Sequence, residues 1–195
     1  MSTRQLMKIS ALAVALFVGN VSAGGNGWLP SGLAWGDDVK AIQGRLGKVE
    51  PDLCEGAEQS LYKSRGWSCE GISKPGLRLS GTRFDVRLRM SERGYGLANI
   101  NMLSRVDGTK TDRVGRASLM ETCSAAQQVI TARLGEGTVT SQVVTGEAVR
   151  LMRLWTTPDK GTEVTVACLE RPEADFGEVM VDFAPVQVRV PQGSV

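Results

Sequence analysis

Any chemistry in this chain has to be done without histidine, for its 195 residues contain none. Histidine is the side chain that titrates nearest neutrality and the commonest proton shuttle. Its absence excludes Ser-His-Asp and Cys-His nucleophilic sites, together with the common zinc hydrolase sites. Carboxylate pairs, Ser–Lys dyads and Tyr/Arg electrostatics remain. Ser60-Leu61-Tyr62-Lys63 has the S-x-x-K spacing that sets a nucleophilic serine one helical turn from a lysine base. The S-D-N and K-T-G elements that complete such a site are missing, so the tetrapeptide reads as a chance pattern. Glycoside chemistry needs two acids facing each other across a cleft. Asp37 and Asp38 instead look like helix-start residues, and Glu170, Glu173 and Asp175 like a solvated, Pro-containing strand connection. No run of acids has the alternation and central glycine of a calcium loop. The sequence therefore assigns no catalytic, cofactor-binding or metal-ligating residue, and the chain reads as a non-enzyme.

Its four cysteines, Cys54, Cys69, Cys123 and Cys168, carry the remaining reactive chemistry. They lack C-x-x-C spacing and any histidine to complete a mixed ligand set, which argues against a metal site. Their compartment follows from the first 23 residues. Arg4 and Lys8 precede an apolar run, Ile9–Val18, too short to span a bilayer, and Val21-Ser22-Ala23 offers small residues for cleavage near Ala23-Gly24. The expectation is an export signal over 1–23 and a mature chain in the periplasm or secreted, with no membrane span. In an oxidising compartment an even cysteine count implies two disulfides. Three pairings exist. Cys54–Cys69, closing a local loop, and Cys123–Cys168, tying a helix to a strand, are favoured.

Setting Arg4 and Lys8 aside leaves 21 basic against 21 acidic residues. A neutral mature chain gives no bulk attraction to nucleic acid or anionic lipid. The charge is unevenly spread: residues 78–116 hold nine Lys/Arg against four acids.

The elements that would position these residues follow from periodicity. Residues 24–36 read as an extended arm, with Trp28 and Trp35 sealing an edge of the core. Asp37 is the expected N-cap of a short helix carrying Val39, Ile42 and Leu46, ended by Gly47. Glu50 to Pro75 reads as loop with a strand near Leu61–Trp67. Arg83–Met90 alternates Phe84, Val86, Leu88 and Met90 against Arg83, Asp85, Arg87 and Arg89, as a half-buried antiparallel strand does. A partner strand follows over Leu97–Val106. Ser118-Leu119-Met120-Glu121 has the form of a capping box opening a second helix, whose stripe is Leu119, Cys123, Ala126, Ile130 and Leu134. Strands are expected over Ala148–Thr156, Thr162–Glu170 and Gly177–Ala184, with Val186, Val188 and Val190 as an extension. The predicted class is α+β, an antiparallel sheet covered on one face by two short helices, forming one domain over 37–190 with a tail at 191–195. Ile42–Gly47 and Ile130–Gly135 agree at four of six positions. Two explanations stay open: a duplicated helix-plus-strands unit, with repeats 37–116 and 118–190, or helix capping alone.

This order of elements resembles the tandem α/β periplasmic and secreted modules typified by the β-lactamase inhibitor protein. The resemblance rests on Gly36, Val39, Ile42, Leu46, Gly47, the Cys54…Cys69 loop and the helix end at Leu134-Gly135. It departs from those modules where Trp35-Gly36-Asp37-Asp38 runs directly into Val39. The leading expectation is a non-enzymatic protein-binding module (an inhibitor, immunity factor or assembly factor) whose partner is another envelope or secreted protein. Arg83, Arg87 and Arg89, in line on the polar side of one strand, are the candidate partner contacts. An envelope-polymer enzyme working through carboxylates, or a small-ligand carrier, is the alternative.

Overall fold

A computed structural model describes residues 28–186 apart from 80, 94–95, 110–112, 141–147 and 172–173. The export signal, the first residues of the arm, Glu173, Val188, Val190 and the tail lie outside the described residues. After a 3-10 turn at Pro30–Gly32 come α1 (Val39–Leu46), β1 (Glu50–Leu53), α2 (Ala57–Ser64), β2 (Trp67–Leu79), β3 (Thr82–Ser91) and β4 (Leu97–Asp107). Then follow α3 (Arg113–Leu134), β5 (Thr138–Thr140), β6 (Ala148–Thr156), β7 (Thr162–Arg171) and β8 (Phe176–Pro185). The strands form one sheet in the order β1-β2-β3-β4-β8-β7-β6-β5, every neighbouring pair antiparallel. The fold is α+β, as the patterning implies.

Directly opposed residues in an antiparallel sheet point to the same face, so the register converts each strand's alternation into rows that cross the molecule. One row runs Ile72, Leu88, Ile100, Phe183, Val164, Trp155, all buried. A parallel row holds Val86, Met102, Val181 and Val166, also buried. Onto this face α1 lays Ile42, and α3 lays Leu119, Cys123, Ala126 and Ile130. The α3 stripe is the one its periodicity predicts. Trp155 donates its indole N–H to the carbonyl of Gly135 at 2.9 Å, tying β6 to the end of α3. Leu29 and Leu33 join the same core, and Trp35 packs against it while donating to Thr162 Oγ1 at 2.9 Å. The arm is thus built into the domain across both halves of the sheet.

Each half of the sheet is a four-strand meander preceded by a helix, and the halves join along β4 and β8. The two Arg-Leu-Gly helix ends are built alike. Gly47 and Gly135 have φ of 74° and 77°, and each donates its N–H to the carbonyl four residues back at 2.8 Å.

Several local expectations are corrected. Asp38, not Asp37, is the N-cap of α1: its Oδ1 accepts the Ala41 N–H at 2.7 Å. Asp37 instead accepts the Ala34 N–H and pairs with Arg45, closing the turn before the helix. Residues 50–75 are not mainly loop. They hold β1, α2 and the first part of β2, and Leu61 lies on the helix rather than on a strand. α3 begins at Arg113, so Ser118 is interior and cannot cap. The helix starts early because its close-packed side extends upstream: Gly115 is buried, and a Cβ there would lie 2.5 Å from the Gly108 carbonyl oxygen. At 22 residues α3 is not short. β5 was not foreseen, and β8 stops at Pro185, before Val186.

Candidate binding face

The opposite face of the sheet carries the other set of alternating side chains. One of its rows is Ser73, Arg87, Asn101, Asp182, Thr165, Leu154, Thr138. The next is Asp85, Leu103, Met180, Ala167, Met152. Amides and charges therefore gather toward β3 and β4, and aliphatic side chains toward β8, β7 and β6. Leu103, Met180, Met152 and Leu154 are half-buried on this outer surface.

α2 lies on this face, not with α1 and α3, and its position follows from Arg89. Arg89 alternates with Leu88 and so points away from the main core, yet it is only 1% exposed. Its guanidinium lies 4.7 Å from the Tyr62 ring centroid on α2. Nη1 donates to the carbonyls of Asp52 and Cys69 at 3.0 and 3.1 Å, and Nη2 reaches Asp52 Oδ2 at 2.5 Å. Such a buried charge is tolerable only with partners of this quality. Gly71, opposite Arg89, makes the room: a Cβ there would lie 2.5 Å from the Leu88 carbonyl oxygen and 2.8 Å from Arg89 Nη1. Trp67 completes this small second core, with Tyr62 and Trp67 ring centroids 6.0 Å apart. Cys54–Cys69 closes the excursion at its base, with Cα atoms 5.0 Å apart.

The second bridge, Cys123–Cys168, has Cα atoms 5.9 Å apart and joins α3 to β7 inside the main core. Both separations suit disulfides, and both pairings are those the sequence favours. Two bridges are compatible with an oxidising compartment.

The three candidate arginines separate. Arg83 is exposed on β3. Arg87 keeps 38% of its side chain exposed and meets Glu58 of α2 at 3.2 Å. Arg89 cannot serve as a partner contact, because its guanidinium is buried and bonded to Asp52 and Cys69 inside the fold; alternation identifies a face but not that a helix lies across it. Ser60 and Lys63 are exposed on α2. Glu170 faces Arg116 at 3.4 Å, and the Asp175 carbonyl accepts the Gly108 N–H at 2.7 Å. Among the described residues no cluster of three or more cysteine or carboxylate side chains could hold a metal ion. No helix among them is long and apolar enough to cross a membrane.

The polar centre of the face was missed by sequence reasoning. Asn99 and Asn101 each donate a side-chain N–H to Asp182 Oδ1, at 2.9 and 3.1 Å. Asn99, 1% exposed, also donates to the Phe183 carbonyl at 2.9 Å. Burial raises the Asp182 carboxyl above its ordinary pKa, against the lowering effect of the two amides and of the Arg65 charge. The available signal was Asn99-Ile100-Asn101, two residues of low strand propensity at a period of 2. Nothing in the sequence, however, aligns them with Asp182. The chain matches no protein-family model, no curated protein and no solved structure.

Proposed function

We propose that this chain is an exported, non-enzymatic protein-binding module of the inhibitor, immunity or assembly-factor kind. It acts outside the cytosol, and its partner is another envelope or secreted protein. The carrying observation is the face opposite α1 and α3, where Leu103, Met180, Met152 and Leu154 stand half-buried beside an amide–carboxyl cluster. Apolar side chains packed beside fixed polar groups are the anatomy of a protein interface. The face is also preorganised: Cys54–Cys69 and the stacking of Arg89 on Tyr62 hold α2 at one side of it, which reduces the ordering cost of association. Of the arginines, Arg87 and Arg83 remain as rim contacts, where charge affects association rate more than affinity.

The test is affinity capture from envelope extract, with the captured protein cross-linked and its contacts mapped. Leu154→Asp and Met180→Asp should abolish capture without changing the melting temperature. Arg83→Glu with Arg87→Glu should weaken it. Full capture by the Leu154 and Met180 variants would remove the face from consideration.

A further inference from the structure

The centre of the outer face holds a carboxylate whose two oxygens are treated differently. Both amide donors, from Asn99 and Asn101, converge on Asp182 Oδ1. Oδ2 accepts none of the hydrogen bonds found among the described residues, and no lysine or arginine among them forms an ion pair with Asp182. The charged groups around it are few. Cross-strand on β7 stands the neutral Thr165, with the exposed Glu163 two residues before it. On the β4 side Arg87 lies one strand beyond Asn101 and is engaged by Glu58. Arg65, just beyond α2, acts on Asp182 through space while its guanidinium lies 5.1 Å from the Trp67 ring centroid. Of the aliphatic side chains, Met180 and Leu103 lie in the adjoining row on β8 and β4, and Met152 and Leu154 lie beyond β7 on β6.

We propose that Asp182 is the anchor of the binding face and that it receives the ammonium or guanidinium of a lysine or arginine from the partner protein. A half-desolvated carboxylate without a direct ion pair gains most from a cation delivered in a water-excluding contact. The two amides fix the carboxyl plane, so one oxygen is presented without reorganisation. The long apolar stem of a lysine or arginine suits the aliphatic strip beside it. Arg65 and Arg87 repel a cation approaching from the β3 side, so the stem enters over β7 and β6. A central, charge-matched position is where interface energy concentrates. This inference rests on the outer face being the docking surface.

The experiment selects disulfide-constrained 12-residue peptides from a phage-displayed random library on the immobilised, oxidised protein. Affinities of synthetic copies are then measured for wild type, Asp182→Asn and Leu154→Asp. The expected result is peptides carrying a lysine or arginine, weakened about tenfold or more by Asp182→Asn and by Leu154→Asp. Replacing the basic residue of the peptide with norleucine should cost wild type the same factor, a measurement independent of whether the protein variant folds. Peptides weakened by Leu154→Asp but indifferent to Asp182→Asn and to norleucine would overturn the anchor while leaving the face. A selection yielding nothing that Leu154→Asp weakens would overturn both.

Discussion

At the scale of single residues, alternation along β3 gives the same forecast for Arg83, Arg87 and Arg89, and three different environments decide their roles. Arg83 is exposed, Arg87 shares Glu58, and Arg89 is enclosed beneath Tyr62. Asp182 is a quieter case with a measurable signature. Its folded pKa is raised, so between its unfolded and folded values the native state binds the extra proton. That contribution to stability is present below the unfolded pKa and is lost as pH rises through the folded one. Urea midpoints from pH 3 to pH 8 should therefore show Asp182→Asn gaining on wild type as pH rises through that window, with the difference between them constant above it. A constant difference across the range would contradict the raised pKa. The variant should remain folded throughout, because an asparagine carbonyl can still accept from Asn99 and Asn101.

At the scale of elements, periodicity located β3, β4, β6, β7 and β8 because apolar residues recur at every second position along each, facing the main core. It failed for α2, which leaves Leu61 exposed and packs Tyr62 into a satellite core rather than the main one. It also failed for the start of α3, where a buried glycine leaves no apolar mark. The close fit of α2 to β2 and β3 depends on Gly71. Gly71→Ala would press a methyl group onto the Leu88 carbonyl, a rigid backbone atom, and displace Arg89. A loss of about 2 kcal/mol is expected, read from denaturant melts, with amide exchange rising first in α2 and β1. A neutral effect would mean that β2 can move away from β3 freely.

At the scale of the molecule, one sheet face is closed by α1 and α3 and the other is partly covered by α2. Cys123–Cys168 spans 45 residues of sequence, joining the two layers of the main core. Replacing both cysteines by alanine should lower stability by roughly 3–4 kcal/mol on loop-entropy grounds, and the melt should stay a single transition because the rows from Ile72 to Trp155 cross both halves. Two separate transitions would show that the halves fold independently.

The sequence by itself determined the class of the fold, its principal strands, the core stripe of α3 and the favoured cysteine pairs, because these depend on local period and count. Which strands adjoin, which arginine is enclosed and where Asp182 meets Asn99 and Asn101 were decided by the tertiary structure alone. The physical reason is that cross-strand register joins residues more than 80 positions apart, and no local preference records a contact made at that distance along the chain.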